Sequence, residues 1–439
     1  MRIRSSLTAT AVLGAVAVLT TGCLSSGGGG GSSGGSNTSK SIEIMYGFTG
    51  QQSDDFIAVV KPWAQKNGIT IKFSPTANFN QLINTRVQGK QLPDVAVFPQ
   101  PGIMRDIAKS GALADLTGVL KMDDLKANMV PGALEAGQGT DGKQYAVLIS
   151  SNVKNGVYVP KKAVQAAGLT NPPQTMADLS ALTNKIAKTG TTPWCFGIGA
   201  EAATGWPATD WVENLMVINY GTDVYNQWVN HKIPFNDPKV LAVLNQMEAL
   251  VLAPGHVNGG RKSVAANPFG TAGNVMFDNP PGCYMYRQGN FLTQPGFFPD
   301  AVVKDLDNSV GVFPMPGKTA QSKPVLGGGD MAGLFSAKND SAKKLIQYLT
   351  STEFQNAAIA RSDSYLAPRK DADLSGYKSQ TSKNFANIQN HATEWVFDGS
   401  DQMPGEVGSG SFWREMTSWI SGQEDAKTAL NNIEASWPK

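Results

Sequence analysis

The chain has 439 residues, 41% of them apolar and 16% charged, which is enough apolar material for two or three packed domains and excludes wholesale disorder. Its 37 Lys and Arg against 35 Asp and Glu leave a net charge of +2, without the basic excess of a nucleic-acid binder. Three His and three Cys exclude a rich metal cluster, and the single long apolar run, at the N-terminus, excludes a polytopic membrane protein.

Arg2 and Arg4 precede an apolar run over 7–19, followed by Leu19-Thr20-Thr21-Gly22-Cys23. A basic stretch, a short apolar stretch and a small residue before a cut describe a secretory signal over 1–22. The cysteine directly after that small residue resembles a bacterial lipobox, with Thr20 where Leu, Val or Ile is usual, and marks Cys23 for lipidation. Residues 23–40 are Gly/Ser-rich and predict a solvated tether, so that a globular body works just outside the membrane, held by lipid alone. Export puts Cys195 and Cys283 in an oxidising space as an even pair. A disulfide is expected, the alternative being two buried free thiols.

Ser41–Tyr46 alternates and predicts a strand. Phe56, Val59, Val60 and Trp63 recur at helical spacing, Gly68 stops that helix, and 69–73 reads as a second strand. A helix over 78–88 and a short apolar strand over 94–98 complete a β-α-β-α-β run, the pattern of a mostly parallel, helix-covered sheet. After the Asp141-Gly142-Lys143 turn, 145–149 and 156–159 predict two more strands. Leu179, Leu182 and Ile186 mark a helix, as do 211–219 and 240–252. Residues 273–277 read as a strand closing on a proline turn at 279–282, and 311–316 as a crossing between domains. Ala342, Leu345, Ile346 and Leu349 form an amphipathic helix capped by Asn339 or Asp340, and 412–437 again reads as helical.

Among motifs, Gly197-Ile198-Gly199-Ala200-Glu201-Ala202 fits a dinucleotide loop only if a helix follows directly, and Thr204-Gly205-Trp206-Pro207 interrupts it. His231, His256 and His391 are isolated, so neither a metal nor a cofactor is expected. Gly205-Trp206-Pro207-Ala208-Thr209-Asp210-Trp211 places two indoles and a carboxylate in one turn-helix segment. Aromatic faces and bidentate carboxylates are what a sugar needs, one for its C–H faces and the other for its vicinal hydroxyls. Trp206 and Trp211 lie about 140° apart on a helix, so one can be core while the other faces a cleft, the alternative being that both are core. Gly327-Gly328-Gly329-Asp330 suits a close approach of backbone to a partner, or a flexible loop. Trp413 is a second aromatic candidate, the alternative being a core position at a helix start.

Leu92-Pro93-Asp94-Val95-Ala96-Val97-Phe98-Pro99-Gln100-Pro101 and Asp141-Gly142-Lys143-Gln144-Tyr145-Ala146-Val147, in this order behind a lipobox, resemble the extracellular solute-binding proteins of carbohydrate ABC importers, the maltose-binding-protein class. The stretches 205–211, 278–283, 327–330, 397–401 and 412–413 are similar to the α-glucoside-binding subgroup. The resemblance implies an α/β fold of two discontinuous lobes about a hinge, 41–149 with 314–365 and 150–313 with 366–439. It implies cleft positions at Phe48, Thr49, Gln51, Phe98, Gln100, Ser150, Asn152, Glu201, Thr204, Trp206, Asp210, Asp278, Asp330, Arg361 and Trp413. The expected protein is a monomeric, non-catalytic binder of a small carbohydrate that delivers it to permease subunits. The rivals are an exported glycoside hydrolase drawing its carboxylate pair from Glu201, Asp210 and Asp278, and a binder of another solute, such as a peptide or siderophore, on the same fold.

Overall fold

The computed structural model describes residues 40–438; the signal, Cys23 and nearly all of the tether lie outside them. Among the described residues ten strands follow in chain order: β1 Ser41–Tyr46, β2 Thr70–Pro75, β3 Val95–Phe98, β4 Ala146–Val153, β5 Gly156–Pro160, β6 Trp194–Cys195, β7 Met285–Gln288, β8 Val310–Pro314, β9 Pro324–Leu334 and β10 Glu394–Phe397. They form two sheets, one of six strands and one of four.

The expected β-α-β-α-β run builds the first sheet. β1 pairs in parallel with β2 on one side and β3 on the other. The intervening helices Gly50–Lys66 and Phe79–Gln88 bury Phe56 and Val60, and Phe79 and Ile83, respectively. β9 then inserts antiparallel to β3, takes β4 along its other edge, and receives β10 in parallel at its beginning. All eleven residues of β9 are buried. The Gly327-Gly328-Gly329 run is therefore strand, not surface loop. A Cβ at Gly327 would run into the Trp395 ring, and Gly329 holds φ +145 against the Ser150 carbonyl.

The second sheet has the order β6-β7-β5-β8. β4 passes into β5 through Lys154 and Asn155, so the two sheets are joined by continuous chain at that point. The expected lobe boundary at 149/150 falls within β4, and β10, allotted to the second lobe, hydrogen-bonds into the six-stranded sheet. The stretch 311–314 belongs to β8, an edge strand of the second sheet, and the crossing follows it. The segment 273–277 is not a strand but a 3-10 turn, Asn274–Phe277, closed by bonds such as Met276 N–H to the Gly273 carbonyl. The strand comes after the proline turn as β7, in which Arg287 and Gln288 are buried beside Met285 and Tyr286. Gly197-Ile198-Gly199 leads into a short 3-10 turn, Glu201–Ala203, and lies against the backbone at Asn267, so these glycines serve close packing within the chain.

Cys195 and Cys283 form a disulfide with their Cα atoms 5.5 Å apart. It ties the end of β6 to the segment entering β7, within the second sheet's side of the molecule. Closing a loop of 88 residues contributes about 4–5 kcal/mol by the chain-entropy estimate. Helix Trp206–Val229 supplies the core beside this sheet, with Trp211, Leu215 and Trp228 buried. Helices Trp413–Ser421 and Ala426–Ala435 pack against it and its neighbours, as the C-terminal pattern predicts.

Candidate functional site

Side chains alternate along a strand, so positions two apart share a face. On β4 and its extension, Ser151 and Val153 are buried, whereas Ser150, Asn152 and Lys154 are only partly so. This second set leads from a cavity to a charged cluster.

The cavity measures about 230 Å³. Phe48, after β1, and Phe354, Arg361 and Tyr365 from the stretch 354–365 line one side of it. Phe291 and Phe297 come from the segment that follows β7 of the second sheet, and Ser150, Asn152 and Asp330 from β4 and β9. Asp330 pairs across the sheet with Ser150, whose hydroxyl donates to its carboxylate at 2.8 Å. Burial pushes the Asp330 carboxyl up to about 6, against the lowering effect of that one hydrogen bond. Arg361 forms an ion pair with Asp55 at 2.7 Å, and both residues line the cavity.

Lys154 is the centre of the second group. Its ammonium contacts the Asp398 carboxylate directly, with Asp210 at 3.5 Å and Asp401 at 3.7 Å. Arg287 approaches Asp210 at 3.8 Å, donates to the Asp210 carbonyl at 2.8 Å, and lies over the Trp211 ring. Glu213 accepts from the backbone N–H groups of Gly399 and Ser400 at 2.8 and 3.0 Å. Burial opposes the Lys154 charge, but Asp210, Asp398 and Asp401 outweigh it and hold the ammonium protonated. Burial also opposes the Asp398 charge, and Lys154 outweighs it, so that carboxyl is held below its usual range. Burial and then the Asp398 charge push Asp401 up to about 7. Burial raises Asp210 and Glu213 as well. Asp210, Glu213 and Asp398 bring carboxylate oxygens within 4.8 Å of one another. Lys154 and Arg287 already supply positive charge there, and the Glu213 oxygens already accept two N–H groups.

Of the residues picked from sequence, Phe48, Ser150, Asn152, Asp330 and Arg361 line the cavity. Gln100, Trp206 and Asp210 gather at the Lys154 cluster: Gln100 donates to Asp401 at 3.0 Å, and Lys154 Nζ lies 5.5 Å from the Trp206 ring centre. Thr49 and Gln51 are exposed at the start of the first helix, where Gln51 donates to Asp55. Phe98 is core, edge-on to Phe79. Glu201 and Asp278 are exposed on separate turns, and Thr204 bonds within its own turn to Ala200 and Glu201. Trp413 opens its helix with its backbone against Gly205. Asp210 is fully buried while Glu201 and Asp278 are exposed, so these three acids share no common environment. Lys154, Phe291, Phe297 and Asp401 were not picked as site residues. Period 2 from Ser150 and Asn152 would have reached Lys154, and Asp401 lies in the stretch 397–401 that carries the resemblance, but nothing local marks Phe291 or Phe297.

The model of a family described as bacterial extracellular solute-binding protein matches residues 58–390. The chain belongs to the bacterial extracellular solute-binding proteins. Two similar proteins are the osmoprotective compounds-binding protein GgtB of Synechocystis sp., 34% identical over 91% of this chain and 93% of the relative, and the alpha-glucosides-binding periplasmic protein AglE of Rhizobium meliloti, 33% identical over 91% and 87%. Among solved structures, the solute receptor AcbH, which prefers β-D-galactopyranose, is similar at a TM-score of 0.74 with 17% identity over 90% of this chain and 98% of that one. The cyclic α-maltosyl-1,6-maltose binding protein of Arthrobacter globiformis gives 0.67 with 20% identity over 90% and 97%. The two-sheet architecture is thus the two-lobed fold of these binding proteins. No helix among the described residues is long and apolar enough to cross a membrane.

Proposed function

We propose that this solute-binding protein captures an α-glucoside or related small oligosaccharide between its two lobes and delivers it to the permease of an ABC importer. The observation that carries the reading is the cavity over Asp330. Aromatic rings from segments beside both sheets wall it, and it contains a buried carboxylate that accepts from the Ser150 hydroxyl. Rings cover the C–H faces of a sugar, and the carboxylate accepts its hydroxyls. The names of GgtB and AglE support this solute class. Closure about the β4–β5 connection is the expected motion, a hinge closure around ligand. The signal-like N-terminus with Cys23 supports lipid attachment at the outer face of the cell membrane, with the body acting as a monomer. Calorimetry across a panel of α-glucosides and galactosides tests the binding reading, with one-to-one saturation and no turnover expected. Turnover would favour the hydrolase, and no binding would leave another solute. Labelled fatty acid retained by the wild type and lost in Cys23→Ser tests the anchor.

A further inference from the structure

Two parts of the chain meet beside Lys154. The segment after β10 is fastened to the helix Trp206–Val229 of the second sheet's side. Glu213 accepts from the Gly399 and Ser400 N–H groups, and the Tyr225 hydroxyl donates to the Phe397 carbonyl at 2.9 Å. β10 pairs with 324–327, the start of β9, next to the crossing between the sheets. Gln100 instead follows β3, where Asn80 donates to its side-chain carbonyl at 2.6 Å. Its amide donates across to Asp401 at 3.0 Å. Beside it, a Cβ on Gly102 would stand 2.6 Å from the Met403 carbonyl, and Arg105 donates to the Gln402 side chain at 3.4 Å. The contact of 100–105 with 401–403 is thus a seam beside the β4–β5 connection, between the first sheet and the body built on the second.

Asp401 is the charge on this seam. It faces Lys154 from the connection at 3.7 Å and Asp398 from its own segment. Asp210, Glu213 and Tyr225 lie behind these on the helix Trp206–Val229, with Arg287 of β7 on Asp210 and Arg105 across the seam. Within the cluster the carboxyls of Asp210, Glu213, Asp398 and Asp401 meet two cations, Lys154 and Arg287. Fully ionised, it would hold two unbalanced negative charges in a buried space, where such charge is costly and is relieved by protons. Asp210 is sealed at 0% of its side-chain surface, whereas Asp401 keeps 15%. A sealed group keeps its surroundings when the seam parts, but Asp401 loses Gln100 and gains water.

We propose that the motion of the two lobes is linked to a proton at Asp401, which the closed, solute-bound form takes up from solvent and the open form gives back. This rests on capture by closure, adds its regulation, and requires no contact between Asp401 and the solute. In the packed seam, burial and then the Asp398 charge push the Asp401 carboxyl up to about 7; water at an open seam returns it toward its ordinary 3.8. The closed form therefore binds the proton more tightly, and solute affinity rises as pH falls through about 7. From pH 8 to pH 6 the rise from this group is about tenfold, with close to one proton taken up per solute at pH 6. Asp330, at about 6 in the cavity, acts with the opposite sign, because its ionised form is the better acceptor for hydroxyls.

The test measures the calorimetric affinity of a disaccharide α-glucoside at pH 6 and pH 8 for the full mature chain and for Asp401→Asn. Asp330 is common to both, so their ratio cancels it. The affinity of the wild type relative to Asp401→Asn is expected to rise about tenfold from pH 8 to pH 6; a constant or falling ratio overturns the link. Should a thermal melt show Asp401→Asn unfolded, Gln100→Ala replaces it. Losing that donor favours the protonated acid, so the pH at which affinity rises moves up; an unmoved midpoint overturns the link. Failure of the wild type to bind any glycoside overturns the sugar reading alone. The link is then read by small-angle scattering of the unliganded chain, whose radius of gyration is expected to fall from pH 8 to pH 6, and no change overturns it.

Discussion

Asp330→Asn separates stability from binding in one residue. The carboxyl is 9% exposed, moved from 3.8 to about 6 by burial, and held by the Ser150 hydroxyl. A folded-state value above the unfolded one means that the folded protein binds the proton more tightly. Stability from this group is therefore greatest at low pH and falls as pH rises through about 6. Keeping the carboxylate ionised in the empty site costs about 3 kcal/mol above that pH. The Asn amide avoids this cost but brings an N–H that needs a partner, so a net gain of about 1–2 kcal/mol is expected for the unliganded variant at pH 7.5, vanishing near pH 4. Denaturant unfolding of unliganded wild type and variant at both pH values measures it. The same change should lower sugar affinity by about 1.5–3 kcal/mol, because a charge-assisted acceptor becomes a mixed donor and acceptor. A variant less stable by the same amount at both pH values, or one with unaltered affinity, would refute the reasoning.

Reducing Cys195–Cys283 should lower stability by up to about 4–5 kcal/mol and leave solute affinity within twofold, since the bridge lies on one side of the connection; thermal melts and calorimetry with and without reductant check this. Lys154→Met leaves Asp398, Asp210 and Asp401 facing one another without their ammonium, and should cost about 3–5 kcal/mol, less at pH 5 than at pH 8, in urea unfolding. Gly327→Ala drives a methyl into the Trp395 ring and should destabilise by about 1–3 kcal/mol, read as a lowered melting temperature with altered indole fluorescence.

Local chemistry made much of the fold legible. β1 and the Phe56 helix follow from apolar spacing, and Asn339 caps the helix Asp340–Leu349 by accepting from Ser341 and Ala342. β7 was hidden because it buries Arg287, whose partner Asp210 lies far back in the sequence. The 327–329 glycines offered a close backbone approach or a flexible loop without saying to what, since what they accommodate, Trp395 and the Ser150 carbonyl, comes from other strands. The site divided in the same way. Residues beside the β1 turn, β4 and β9 were found, where strand ends present short motifs. Phe291 and Phe297 were not picked, because only tertiary packing gives an ordinary phenylalanine a place in a shared wall, and Asp401 was quoted within the stretch 397–401 without being singled out as a site residue.

β9 is held by β4 on one edge and by β3 and β10 on the other, with every residue buried. Asp330 is carried on the most restrained strand of the six-stranded sheet, and so its acceptor is in position before any solute arrives. The ordering entropy of capture then falls on the facing wall at 291–297 and on the solute, not on the carboxylate. Substitutions that tune affinity without loss of fold should accordingly be found in that facing wall, where side chains of different size can be tried against a fixed anchor.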